Sequence, residues 1–369
     1  MKVLLLAPCL ASPGGIQRYT VTLARALKDL IGDQSVLCVA LNAGLIGPGN
    51  ARLSARSKWR FGWQAAREVV RWRPDLVICV HLALGPIGWL LASLRRRPYW
   101  IVVHGIEAWA LLPGWKRVAL RQAHRVVVTS SFNREQVVKR HGIDARRIAN
   151  LPCTIDETLL SVETATGGVH RYFSDDRRVV LTVARMAASE DYKGHDVVLR
   201  ALPSVVARVP NLSYVVVGDG DDRARLERLV KELGLREHVV FTGEVNDTEL
   251  ASIYRRSEVF VLPARTVIDE RNPKGEGFGI VFLEAMAFGK PVIGPRYGAP
   301  AELIRHGENG LLVDPEDPAS VAKALLNLLT NPDLAREMGK AGSKWVREHY
   351  SYGSFCELLR DILPSSTRD

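Results

Sequence analysis

The sequence predicts an α/β protein made of two Rossmann-like domains. Three observations predict it. Short apolar, β-branched runs alternate with amphipathic stretches along the whole chain, a pattern that implies parallel sheets covered on both faces. The series occurs twice, on either side of a polar, Gly-containing stretch at 156–178 that lacks periodicity. The chain is also long enough: 369 residues, 47% hydrophobic and 24% charged, can bury two cores of ordinary size.

In the first series "VLLLA", "SVLCVAL", "DLVICV", "YWIVVHG", "RVVVTS" and "RIANLP" read as strands, with helical stretches such as Tyr19–Leu30 between them. In the second, "RVVLTVAR", "LSYVVVGDG", "HVVFTG", "VFVLPA", "PVIG" and "GLLVD" repeat the scheme, with Arg223–Leu233 as a typical helix. The expected organisation is a domain over 1–167, a second over 168–350, and a last segment, 351–369, holding a helix at Phe355–Leu363. Two facing doubly wound sheets would direct the carboxyl ends of their strands into one central cleft, where such sheets bind ligands.

Composition narrows the class. No run of 18 apolar residues occurs, so no transmembrane helix is expected. The N-terminal "MKVLLLAPCLASPGG" reads as a first strand and phosphate loop rather than a signal peptide. The five cysteines (Cys9, Cys38, Cys79, Cys153 and Cys356) are scattered without CxxC spacing, which favours a reducing compartment and no zinc site. The net charge of +10 is uneven: residues 1–170 carry 23 Lys and Arg against 10 Asp and Glu, the remainder 27 against 30. The basic half should therefore meet an anionic partner.

The residues suited to chemistry fall at predicted strand ends. In "GEGFGIVFLEAMAFGKPVIG", Gly277 and Gly279 would break a helix interior, so a helix should start near Ile280 and end at Gly289. The amides of Phe278, Gly279 and Ile280 would then form an anion site at its N-terminus. Glu276 lies in the loop ahead of that site and Glu284 about a turn into the helix; carboxylates so placed can accept hydrogen bonds from vicinal hydroxyls. Arg185, at a strand end, and Lys193, in the loop before the next helix, offer two cations for a diphosphate. Gly14 and Gly15 open a helix after the first strand and let backbone approach a ligand closely. His104 closes a strand of the first domain. Taken singly, each of these would be an ordinary surface or structural residue.

Together they resemble the retaining glycosyltransferases of family 4, with the GT-B fold. The carriers are "PGG" at 13–15, "VVHGIE" around His104, "ARMAASEDYKGHDVVLRAL" at 184–202, "VVVGDGDDRARLERL" at 215–229, "EGFGIVFLEAMAFGKPVIGP" at 276–295 and "ENGLLVDPEDPASVAKAL" at 308–325. The resemblance implies an acceptor-binding first domain, a donor-binding second domain, and a last helix crossing back to the first. Arg185, Lys193 and the amides at Phe278–Ile280 would hold the diphosphate of a UDP- or GDP-sugar. Glu284 would bind the ribose, Glu276 the transferred hexose, and the backbone around Gly243 and Val245 the base. Gly14 and Gly15 would close over the donor, and His104 would approach the reacting carbon. Arg185 and Lys193 stand eight apart, farther than in many members, because of "AASEDY". The implied reaction retains the anomeric configuration, needs no cofactor and no metal, and delivers the sugar to a glycan or lipid-linked acceptor. "DGDD" at 219–222 contains a DxD, read here as a helix cap.

Competing readings explain less. A dinucleotide-dependent oxidoreductase would use the GxG of "VVVGDGDD", but the third glycine and the later acid are missing. No nucleic-acid-binding module is recognisable, so none is expected as a partner. A protein that only binds an anionic membrane leaves the donor motifs unexplained. Membrane contact itself is expected of "ARLSARSKWRFGWQAAREVVRWR" (51–73), which has seven Lys and Arg, one acid and four aromatics. Read as one helix, it sets Trp59, Trp63, Ala66 and Val70 on one stripe and Arg56, Arg60, Arg67 and Arg71 on another. The plainer alternative packs the Trp stripe into the core. The expected location is the cytoplasmic face of the cell membrane, as a peripheral protein.

Overall fold

The computed structural model describes residues 1–8, 14–41, 53–55, 57–162, 172, 174 and 176–364, with backbone alone at 53–55 and 58. The chain forms two compact units. One comprises Met1–Thr154, Ile268–Pro273 and Ser351–Asp369, and the other Ile155–Val267 and Lys274–Tyr350.

The first unit runs β1 (Val3–Ala7), α1 (Gly15–Ile31), β2 (Val36–Leu41), β3 (Leu53–Ala55), α2 (Lys58–Trp72), β4 (Leu76–Cys79), α3 (Gly85–Leu94), β5 (Tyr99–Val103), α4 (Gly114–Gln122), β6 (Arg125–Val128), α5 (Ser131–His141) and β7 (Ile148–Asn150). Its seven strands are parallel, in the order β3-β2-β1-β4-β5-β6-β7. The order reverses between β1 and β4, and the carboxyl ends there define the ligand crevice of a doubly wound sheet. Near-continuous apolar strands such as "VLLLA" and "LVIC" are buried along their whole length, as sheets covered on both faces require.

The second unit runs α6 (Glu157–Ser161), β8 (Arg178–Val183), α7 (His195–Val206), β9 (Leu212–Val217), α8 (Arg223–Glu232), β10 (Val239–Gly243), α9 (Asp247–Arg256), β11 (Val259–Val261), α10 (Ile280–Ala287), β12 (Val292–Pro295), β13 (Gly310–Val313), α11 (Pro318–Thr330) and α12 (Pro332–His349). Six parallel strands follow the order β10-β9-β8-β11-β12-β13, reversing between β8 and β11. The final helix, α13 (Tyr352–Ile362), belongs to the first unit and packs on α1. There the Tyr352 hydroxyl donates to Asp29 at 2.6 Å, Arg25 lies 4.4 Å over the Tyr352 ring, and Phe355 meets Tyr19 edge-on.

The segment 51–73 is not one helix. Residues 53–55 form the edge strand β3, and α2 begins at Lys58 because extended Ser57 caps it, its Oγ accepting from the Arg60 amide at 3.3 Å. Arg56 lies outside the described residues. Nor does the Trp stripe enter the core. Phe61, Ala65 and Val69 are the buried positions of α2, while Trp59 is 90% and Trp63 64% exposed. Four residues apart, Phe61, Ala65 and Val69 share one helix face, and the tryptophans fall on another.

Candidate active site

In the second unit, α10 starts at Ile280, as the glycines require. Gly279 is its N-cap with φ 97°, a left-handed conformation that glycine adopts without strain, and no side chain caps this end. A Cβ on Gly279 would come within 2.8 Å of the Phe282 ring. The helix N-terminus therefore offers backbone N–H groups and a partial positive charge to an anion. Phe278 contributes backbone only, since its ring is buried edge-on against Tyr350.

Around this end the charged side chains pair. Lys193, following β8 through its loop, bonds the Glu276 carboxylate, and both side chains are largely buried. Arg185 bonds Glu190, whose second oxygen lies 4.0 Å from the Lys193 ammonium. Cations and carboxylates thus alternate from Arg185 through Glu190 and Lys193 to Glu276. The lengthened loop "AASEDY" supplies Glu190, so its extra residues hold the two cations together. Arg185 stays 76% exposed, open to an incoming anion. The Arg185 carbonyl lies 3.2 Å from His195 Nε2, which must then carry the ring proton. Burial pushes the His195 imidazole down to about 4, so it is neutral at pH 7.

Glu284 lies within α10 itself. It is 3% exposed and accepts from the Tyr254 hydroxyl at 2.9 Å. Gly243 ends β10 with φ 73°, and its carbonyl accepts from the Gly218 amide at 3.0 Å. Val245 lies in the turn before α9, half-buried, next to a capping box formed by Asn246 and Glu249.

The DxD is not the cap of α8. Asp222 occupies that N-cap without a side-chain cap bond and instead pairs with Arg225 at 2.6 Å. Asp221 accepts from the Ala188 amide at 2.7 Å and Asp219 from the Gly220 amide at 2.8 Å. The reason is a close backbone approach: a Cβ on Gly220 would come within 2.2 Å of the Met186 carbonyl, so this turn packs against the loop bearing Arg185. Among the described residues, no three His, Cys, Asp or Glu side chains converge as a metal site.

In the first unit, Gly14 caps α1 in an extended conformation, with no side chain capping the helix, and Gly15 is its first, exposed residue. His104 follows β5. Its Nε2 donates to the Val80 carbonyl at 2.7 Å, its amide donates to Glu107 at 2.6 Å, and Tyr19 meets its ring edge-on at 5.1 Å. Loss of hydration lowers its pKa from the usual histidine value, with Glu107 opposing, so the ring is neutral at pH 7. Trp59, Arg60, Trp63 and Arg67 lie together on the exposed side of α2, and the Arg67 guanidinium lies 5.4 Å over the Trp63 ring.

Sequence reasoning passed over Glu190, Tyr254, His195 and His81. Glu190 had a usable signal, an acid between two cations assigned to one diphosphate. Tyr254 stands 30 residues from Glu284 and had none.

Two family models match: "Glycosyltransferase Family 4" over residues 13–159 and "Glycosyl transferases group 1" over 171–345. The chain is 33% identical over 267 residues to a GDP-mannose-dependent alpha-(1-6)-phosphatidylinositol monomannoside mannosyltransferase of Mycolicibacterium smegmatis, covering 70% of this chain and 68% of that one. It is 38% identical over 355 residues to a phosphatidyl-myo-inositol mannosyltransferase of Mycobacterium leprae, covering 91% and 89%. Among solved structures, HepE of Anabaena in complex with UDP and glucose superposes with a TM-score of 0.80 at 17% identity, over 98% of this chain and 99% of that one. A glycosyltransferase of Rickettsia africae gives 0.79 at 18%, over 98% and 97%. The chain belongs to glycosyltransferase family 4, a retaining, nucleotide-sugar-dependent family with the GT-B fold.

Proposed function

We propose that the protein transfers a hexose from a GDP- or UDP-sugar to a hydroxyl of a lipid-linked acceptor, with an α-glycosidic product, at an anionic membrane surface. The observation that carries this reading is the Arg185–Glu190–Lys193–Glu276 chain beside the uncapped N-terminus of α10. Arg185, Lys193 and the amides of Phe278, Gly279 and Ile280 hold the diphosphate. Glu276 binds the hexose, Glu284 the ribose hydroxyls after exchanging its Tyr254 bond, and the backbone at Gly243 and Val245 the base. In the first unit, which receives the acceptor, Gly14, Gly15 and His104 are the substrate-binding residues.

In the reaction the acceptor oxygen attacks the anomeric carbon on the face from which the diphosphate leaves. The bond to the phosphate oxygen breaks, the new C–O bond forms, and the acceptor proton passes to the leaving phosphate. The cations and helix amides stabilise the developing negative charge, so neither a covalent nucleophile nor a metal is required. The relatives that act on GDP-mannose and phosphatidylinositol-type lipids favour mannose and an inositol lipid as the first substrates to try.

The membrane part of the proposal rests on the outer face of the first unit. Trp59 and Trp63 on α2, Trp89, Leu90 and Leu94 on α3, and Trp115 and Val118 on α4 are exposed large hydrophobics on helices that pack side by side. Arg60, Arg67 and Arg71 flank the α2 tryptophans, and Arg95–Arg97 follow α3. Exposed aromatics beside arginines suit the headgroup boundary of an anionic leaflet. No described helix is long and apolar enough to cross the membrane.

The test mixes the protein with GDP-mannose or UDP-glucose and phosphatidylinositol-containing vesicles, with EDTA present. Nucleoside diphosphate and an α-linked glycolipid should appear together. Vesicle binding without release of nucleoside diphosphate from any sugar nucleotide would favour a non-catalytic anionic-surface protein instead.

A further inference from the structure

We propose that His81 is a further substrate-binding residue: its Nε2–H donates to one hydroxyl of a polyol acceptor, and the neighbouring His104 Nδ1 accepts from the adjacent hydroxyl. The inference rests on the glycosyl-transfer reading and adds the chemistry by which the first unit recognises its acceptor.

His81 stands just beyond β4, at the point where the strand order of the first sheet reverses. His104 stands just beyond β5, the next parallel strand. Their rings are 6.1 Å apart between centroids and 24° from parallel. That separation is too wide for direct hydrogen bonding between the rings.

The hydrogen bonds fix both tautomers. His81 Nδ1 accepts from the Ala83 amide at 3.0 Å, so this nitrogen is bare and the ring proton sits on Nε2. In His104 the order is reversed. Its Nε2 faces the Val80 carbonyl at 2.7 Å and must donate, which leaves Nδ1 as the acceptor. The two rings therefore present one donor and one acceptor at the carboxyl end of the same sheet. Each hydroxyl of a vicinal diol both donates and accepts, so a diol satisfies both rings at once. A neutral His104 is needed for this, and its burial keeps it neutral.

The local fold does not by itself require a histidine at 81. The residue caps the short 3₁₀ turn Leu82–Leu84, a role that Asn, Ser or Asp fills equally well. What histidine adds to a cap is an N–H reaching beyond it. Neither bonded hydroxyl is the attacking one, whose proton goes to the phosphate.

His81→Asn separates cap from donor, because the Asn Oδ1 can still accept from the Ala83 amide while the reaching N–H is lost. In vesicles containing phosphatidylinositol, with GDP-mannose as donor, the ratio of lipid transfer to donor hydrolysis should fall about tenfold, the size expected for one lost hydrogen bond. The acceptor KM should rise and the melting temperature should hold. His81→Gln, which restores a longer-reaching N–H, should recover part of the loss. A wild-type ratio in His81→Asn overturns the proposal.

A second arm needs no transfer. Titrating myo-inositol into the full wild-type chain should move the NMR signals of both the His81 and His104 rings, whereas cyclohexanol, with its single hydroxyl, should not. Unmoved rings overturn the proposal. Ring shifts without transfer to phosphatidylinositol would remove the proposed reaction and keep the diol site. Transfer that His81→Asn leaves untouched would do the opposite.

Discussion

The two units share a doubly wound parallel topology yet use their charges in opposite ways. The first turns cations outward: Arg60, Arg67 and Arg71 sit exposed on α2, beside tryptophans that face solvent. The second turns cations toward acids at a sheet edge: Lys193 is largely buried on Glu276, and Arg185 is tied to Glu190. Net charge follows the same division, since the excess of basic residues lies wholly in residues 1–170. One scaffold thus carries two arrangements of charge, and what differs is where its strand-end and helix-face residues lie. An outward cation attracts a surface over a distance set by salt, whereas a cation held by a carboxylate is preorganised for one small anion.

If this division is right, the largest effect comes from the second unit's acid. Glu276→Gln keeps the size of the side chain but removes the charge we propose for the hexose, and turnover should fall by about 10²–10³-fold with donor affinity changed far less. Steady-state kinetics with the preferred donor decide this, and a wild-type turnover number would place the reaction centre elsewhere. His104→Ala should behave similarly from the first unit.

Next comes the membrane face. Reversing Arg60, Arg67 and Arg71 to Glu should lower partitioning onto anionic vesicles by about 10²-fold or more, at about 1 kcal/mol for each basic residue at the surface. The same triple variant should retain its affinity for soluble donor. Flotation across a salt series reads the first quantity and calorimetry the second. A parallel loss of both would mean that the two charge systems are not separate.

Lys193→Ala should weaken nucleoside diphosphate binding about 10- to 100-fold through loss of a charge-assisted bond. Adding EDTA should change the affinity of neither the wild type nor the variant. A dependence on magnesium or manganese would instead engage Asp219 or Asp221, which now bond backbone amides.

A last effect concerns pH. His195 is held at about 4 by burial, below its ordinary 6.5. Between those values the unfolded chain binds more protons than the folded one. The stabilisation is complete above pH 6.5 and is lost as pH falls toward 4, a term on the order of 3 kcal/mol. His104 and His141, also lowered by burial, act in the same direction. The melting temperature should therefore drop several degrees from pH 7 to pH 5, and His195→Gln should flatten that slope. An unchanged slope would mean that His195 charges without cost.

Much of this was legible in the sequence because its periodicities have few solutions. The buried strands and the start of α10 after Gly279 follow from local rules. The division of 51–73 did not, because Phe61–Ala65–Val69 and Trp59–Trp63 are both apolar at helical spacing, and only packing chooses which enters the core. The carboxylate partners were hidden for another reason. Lys193 meets Glu276 across 83 residues and Glu284 meets Tyr254 across 30, distances over which only the sheet topology brings side chains together. His81 was passed over because the sequence does not show its tautomer, which the Ala83 amide fixes only in the fold.

The decisive measurement is the product formed from GDP-mannose, or whichever sugar nucleotide most raises the melting temperature, on phosphatidylinositol vesicles in the presence of EDTA. NMR of the purified lipid should show an α-linked hexose formed in step with nucleoside diphosphate release, and Glu276→Gln should form it at least 100-fold more slowly. A β-linked product, or equal rates from the wild type and Glu276→Gln, would contradict it.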